Sequence, residues 1–197
     1  AARQFHQAVA GEGLAGVLEQ YLEQRKFAGG QQGFLAAANQ DAGAELNDDL
    51  VSFKSDPLLI TKPEQEWEIR SGDEWRWNEG PFVLKHLGKY YLMFSANFYA
   101  GRDYSVGYAV AETPTGPFVK AAHNPVLASP NPEISGPGHN SVTASPDGKE
   151  LFIVYHIHTD PQKPSGDRQV CIDRMGFRED GSLYVEGPTN TPQPMPS

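Results

Sequence analysis

Glu79 sits in Asn78-Glu79-Gly80-Pro81-Phe82, a carboxylate in a turn with glycine and proline directing the backbone just after it. The apolar run Phe82-Val83-Leu84 follows at once. A carboxylate fixed at the mouth of a strand can give or take a proton if burial or a neighbouring charge moves its pKa. Its simpler role is to pair with a cation in the turn. His139 follows Gly136-Pro137-Gly138, a backbone suited to close approach. It is either a hydrogen-bonded structural histidine or an imidazole presented to a ligand. His156 and His158 are two residues apart, so they share one face of a strand. Such a pair can hold a metal, yet no Cys or third His completes a zinc spacing. One of them is expected in the core or a pocket and the other in solvent. Arg168 offers a planar fork for hydroxyls, or is a surface cation. Trp75 and Trp77 flank the acid and either stack on a ligand ring or fill the core.

These residues need elements to position them. Leu14, Val17, Leu18, Tyr21 and Leu22 recur with helical spacing, and Glu19, Gln20, Glu23 and Gln24 fall mostly on the other side. The pattern predicts a short amphipathic helix over Leu14 to Gln24, within an N-terminal segment 1–26. From 27 to 197 the texture changes to short apolar or alternating runs broken by Gly, Pro, Asn and Asp. Lys89–Asn97, Tyr104–Ala111, Leu151–His158 and Arg168–Phe177 read as strands, Thr113–Phe118 as a turn, and Glu179–Ser182 as a hairpin turn centred on Asp-Gly. No helical pattern separates these strands, which argues against a parallel βαβ sheet.

Composition narrows the partners. The chain has 197 residues, 39% of them hydrophobic, enough for one domain with a core. No apolar run approaches the ~20 residues that span a bilayer. The first residues lack the basic start and apolar stretch of a signal peptide, which leaves a cytoplasmic protein and a processed secreted one equally open. Sixteen Lys and Arg against 25 Asp and Glu give a net charge of −9, which repels phosphate backbones and argues against nucleic-acid binding. The single cysteine, Cys171, lies in Val170-Cys171-Ile172 and reads as a buried, inert thiol.

The sequence repeats weakly. Glu79-Gly-Pro-Phe-Val-Leu-Lys-His-Leu-Gly-Lys-Tyr-Tyr-Leu-Met-Phe matches His139-Asn-Ser-Val-Thr-Ala-Ser-Pro-Asp-Gly-Lys-Glu-Leu-Phe-Ile-Val-Tyr, with Gly88-Lys89 over Gly148-Lys149 and Glu79 over His139. Repeated small antiparallel sheets suggest propeller blades, although about 40 to 50 residues is the usual period. If the first strand of each blade lines a central axis, Glu79 and His139 converge on one cavity.

Four stretches, Trp77–Asn97, Tyr104–Phe118, Gly136–His156 and Arg168–Phe177, together resemble the C-terminal half of glycoside hydrolase family 43. That family holds arabinanases, α-L-arabinofuranosidases and β-xylosidases on five-bladed propellers. The resemblance covers about residues 43 to 193. It implies a mainly β chain, a partial propeller of about two and a half blades preceded by the short helix. It implies that Glu79 is the general acid, that Arg168 contacts substrate, and that His139 lies on the axis where the family holds water or a metal such as calcium. Asn78, Trp77 and His156 are expected beside the sugar. No cofactor is required.

The family's other two carboxylates, a general base and an acid-orienting aspartate, belong to segments with no match here. Asp48, Asp49, Asp73, Glu74, Asp103, Asp167 and Asp173 are the candidate replacements. Two function classes follow: acid-assisted inverting hydrolysis of arabinose- or xylose-containing glycans, or a non-catalytic carbohydrate-binding or assembly module. Half a ring also leaves sheet faces and edges uncovered, which predicts a homo-oligomer that completes the propeller.

Overall fold

The computed structural model describes residues 34–36, 42–49, 52–72, 74 and 76–195. The helix expected over Leu14 to Gln24, together with Asp73 and Trp75, lies outside the described residues.

The architecture is mainly β, in three antiparallel sheets. Strands β1 (Phe34–Ala36), β2 (Ala42–Glu45) and β3 (Leu58–Leu59) make a three-stranded sheet. A 3-10 helix at Glu66–Ile69 leads to β4 (Asn78–His86), β5 (Lys89–Ala96), β6 (Ser105–Ala111) and β7 (Val119–Lys120), paired in that order. The last sheet holds β8 (Gly138–Ala144), β9 (Leu151–His158), β10 (Arg168–Phe177) and β11 (Leu183–Val185), again in chain order.

Strand β5 is apolar from Tyr90 to Phe94 because both of its faces are covered. Tyr91 and Met93 join Val106, Tyr108, Ile153, Tyr155, Ile157 and Met175 in the core between the two four-stranded sheets. Leu92, Phe94 and Ala96 pack on the other side with Ile60 and Trp67. In the last sheet the odd-numbered positions of β9 and β10 take the core. On the even-numbered face Phe152 and His158 of β9 are buried, whereas Val170 and Ile172 of β10 are exposed, Val170 at 67%.

The repeat is carried into the pairing register. Asn78 pairs with Ala96 and Gly138 with His156; Phe82 pairs with Met93 and Val142 with Ile153. Each strand pair also carries a register break at the same place, between Glu79 and Phe82 and between Gly138 and Ser141. Thus β4 and β8 are equivalent edge strands of their sheets. The turn expected around Glu79 is the beginning of β4 itself, interrupted by this bulge. Pro81 lies in the bulge, where its missing N–H costs the ladder nothing.

Asp173, a candidate base in the sequence, has a different role. It is fully buried and accepts from the Tyr155 hydroxyl at 2.5 Å, the Thr189 amide at 2.9 Å and the Thr189 hydroxyl at 2.6 Å. It clasps the C-terminal segment to the last sheet. Asp173→Asn would set an amide against these donors, so an unfolding loss of about 1–3 kcal/mol is expected in a denaturant titration. Cys171 is half-buried, and burial raises its pKa to about 11, which keeps it a thiol.

Candidate functional site

The two equivalent bulges bring their residues together. An added Cβ on Gly80 would lie 3.0 Å from Nδ1 of His139, so the start of β4 touches the start of β8. Glu79 is half-buried there, and Tyr104 donates its hydroxyl proton to Glu79 Oε1 at 2.7 Å. Ser95 couples the repeats. It pairs with Glu79 across the β4–β5 ladder and accepts the His139 amide at 2.7 Å through its hydroxyl.

Tyr104 is fully buried, and both burial and the nearby Glu79 carboxylate raise its pKa. Its hydroxyl therefore stays a donor at any working pH. The sequence gives no sign of this bond, because Tyr104 reads only as the first residue of a strand, 25 positions from Glu79.

Gly136 and Gly138 explain the Gly-Pro-Gly-His run. A Cβ on Gly138 would overlap the Tyr104 ring, and one on Gly136 would overlap the imidazole of His158. His139 itself has φ 53°, a left-handed conformation that costs a residue with a side chain roughly 1 kcal/mol. Such cost is most often retained where a side chain must be aimed. The imidazole is exposed, and its ring centre lies 6.4 Å from that of His156.

His156 is neutral by construction. Its Nδ1–H donates to the Gly138 carbonyl at 2.8 Å, and its Nε2 accepts from Arg168 Nη1 at 3.0 Å. Burial first, then the Arg168 charge, lowers its pKa from 6.5 to about 4. A histidine with a lowered folded pKa stabilises the fold above the unfolded value and loses that contribution as pH falls toward the folded one. Thermal unfolding should therefore move to lower temperature between pH 6.5 and about 4. His156→Gln should flatten that part of the profile.

His158 is buried rather than exposed, so neither member of the pair faces solvent as expected. Its Nδ1 meets the Ser135 hydroxyl and its Nε2 the Tyr99 carbonyl, each at 2.9 Å. Tyr99, which the sequence did not single out, is 40% exposed, and the Arg168 guanidinium carbon lies 5.5 Å from its ring centre. Arg168 also donates from Nε to the Gly166 carbonyl at 3.2 Å.

Asn78 and Trp77 are placed differently from one another. Trp77 is half-buried ahead of the strand. Asn78 is fully buried, and its amide bonds with Glu68, Thr61 and Lys120 rather than facing a cavity.

The surroundings of His139 do not suit calcium, a hard cation that takes six to eight oxygens. Both nitrogens of its neighbour His156 are engaged, and a guanidinium stands beside them. Among the described residues, no three His, Cys, Asp or Glu side chains gather as a metal would need. Of the carboxylates considered as a base, Asp48, Asp49, Glu74, Asp103 and Asp167 are exposed, and Asp173 is committed to its clasp.

Comparison with known proteins bears on the fold and the family. The model of a family described as glycosyl hydrolases family 43 matches residues 20–183. A β-D-galactofuranosidase of Aspergillus niger is 38% identical over 139 residues, covering 71% of this chain and 37% of its own. An extracellular exo-α-(1→5)-L-arabinofuranosidase of Streptomyces avermitilis is 33% identical, over 64% of this chain and 27% of that one. The crystal structure of a thermostable family-43 glycoside hydrolase superposes with a TM-score of 0.75 at 59% identity, covering 79% of this chain and 50% of that chain. The chain thus spans half the length of that structure and about a third of the curated relatives. Among the described residues, no helix is long and apolar enough to cross a membrane.

Proposed function

The chain belongs to glycosyl hydrolase family 43, and from that premise we propose a glycosidase acting on arabinose- or xylose-containing glycans, of the α-L-arabinofuranosidase or β-xylosidase type. The observation that carries the reading is the Tyr104–Glu79 hydrogen bond, set among His139, His156 and Arg168 at the meeting of two equivalent strands. Glu79 is the general acid, passing its proton to the leaving glycosidic oxygen as the bond to the anomeric carbon breaks. Tyr104 fixes the carboxyl's direction. Arg168 uses Nε and Nη1 within the protein, and the remainder of its fork is what a sugar hydroxyl would meet. His139 presents an exposed imidazole to the same space and is better suited to water than to calcium. His156 borders it, its ring centre 6.4 Å from that of His139, and Trp77 is the further side chain the reading assigns to the sugar.

Inversion requires a second carboxylate, about 6.5–9.5 Å from the acid, to activate water on the opposite face of the sugar. The exposed or committed state of the candidate bases among the described residues favours a second reading, a site that binds pentose-containing glycans without cleaving them. Release of 4-nitrophenol from the α-L-arabinofuranoside or the β-D-xyloside separates the two. Calorimetric binding of arabino- or xylo-oligosaccharide with no release would establish the second and sink the first.

The exposed Val170 and Ile172 of β10 support a further part of the proposal, a second copy of the chain packed against the last sheet. Val170 at 67% and Ile172 at 41% exposure are unusual for paired aliphatic positions. Sedimentation at micromolar concentration should show a dimer or larger assembly; a monodisperse monomer is the outcome against it.

A further inference from the structure

We propose that the buried ion pair of Glu68 and Lys120 is a positioning device for Glu79, acting through Asn78; this rests on the catalytic reading above. The pair lies at 2.5 Å with side chains 0% and 5% exposed. Its setting is the apolar cluster of Trp67, Leu92, Phe94, Ala96 and Ala109. Lys120 comes from β7, at the outer edge of its sheet, and its ammonium lies 4.9 Å from the centre of the Phe94 ring. The lysine therefore crosses the sheet face to reach an acid near the opposite edge strand.

Two charges in such a place are costly to desolvate, and an apolar pair of similar size is commonly as stable or more so. Stability alone does not account for the arrangement, but the bonding of Asn78 does. Its Nδ2 donates to Glu68 Oε1 at 2.7 Å. Its Oδ1 accepts from the Thr61 hydroxyl at 2.9 Å and from the Lys120 ammonium at 3.3 Å. Glu68 in turn accepts the Glu64 amide at 3.0 Å and the Gln65 amide at 2.7 Å through Oε2. Asn78 is thus gripped from the segment after β3, from the 3-10 helix and from β7. It immediately precedes Glu79, where the bulge would otherwise let the chain slip.

On the other side of this point, Tyr104 holds the Glu79 carboxyl directly. The ion pair fixes the backbone of the acid and Tyr104 fixes its side chain. Glu68 and Lys120 do not touch substrate.

The test is the double variant Glu68→Gln with Lys120→Met, which removes both charges with little change in size. The variant should unfold within a few degrees of the wild type. Its kcat on an arabino- or xylo-disaccharide, whose leaving oxygen needs the proton, should fall about 10- to 100-fold at unchanged KM. Amide exchange followed by mass spectrometry should speed in peptides covering 78–84 and stay unchanged in β9 and β10. Wild-type turnover and wild-type exchange in the double variant overturn the proposal. So does a fall in unfolding temperature with faster exchange through all sheets, which is the signature of a merely structural pair. If the wild type neither turns over nor binds sugar, the catalytic reading fails, and with it the purpose assigned to the pair. If it binds without turnover, the exchange pattern decides this proposal separately.

Discussion

Glu79→Gln is expected to lower kcat by about 10²–10⁴-fold on a natural disaccharide, the usual contribution of a positioned general acid. Glutamine keeps the size of the side chain and can still accept from Tyr104, whose hydroxyl lies 2.7 Å from Oε1. It has no acidic proton to give. KM should change little, because the leaving oxygen gains its proton only as the bond breaks. The size of the loss should depend on the leaving group. Nitrophenolate departs readily without protonation, so the defect on the nitrophenyl glycoside should be smaller than that on the disaccharide. An equal loss on both substrates would point to a misplaced sugar rather than a missing proton. Activity untouched by the substitution would remove Glu79 from the mechanism.

Gly138→Ala is expected to damage fold and site together. The new methyl would overlap the ring of Tyr104, which is fully buried and has no space to retreat. Overpacking of this kind costs about 1–3 kcal/mol, read as a drop in the denaturation midpoint. Movement of Tyr104 would also break its bond to Glu79 and tilt the Gly138 carbonyl, the acceptor for His156 Nδ1. Turnover should fall even under conditions where the variant remains folded. Tyr104→Phe separates the contributions: it removes the bond to Glu79 and leaves the packing with Gly138. If Gly138→Ala matches the wild type in both stability and turnover, the close packing of glycine on tyrosine has no consequence.

Much of the strand pattern was legible. Leu151–His158 and Arg168–Phe177 are strands with the bounds read from sequence, and the repeat placed Glu79 and His139 at equivalent positions. That reading worked because strands have a short local period, and because two copies of one pattern check each other. The roles of individual polar residues were less legible. Asn78 read as a sugar contact but is locked in a buried network, and Asp173 read as a spare carboxylate but clasps Thr189. Strand spacing alone did not separate His158 from His156, although one is enclosed by Ser135 and Tyr99 and the other is held between Gly138 and Arg168. Spacing along a strand tells which face a residue takes, not what stands opposite.

By itself, the sequence determined the class of fold, four of the strands, the family and the acid to test first. Each of these is written in local patterns: alternation, turn residues and a motif of adjacent positions. Only the tertiary structure decided that Tyr104 holds Glu79, that Ser95 ties one repeat to the next, and that a buried charge pair 52 residues apart grips the residue before the acid. Those bonds form between side chains far apart in the chain. Their existence depends on how two sheets pack and how far β7 lies from β4, and no local pattern encodes these distances.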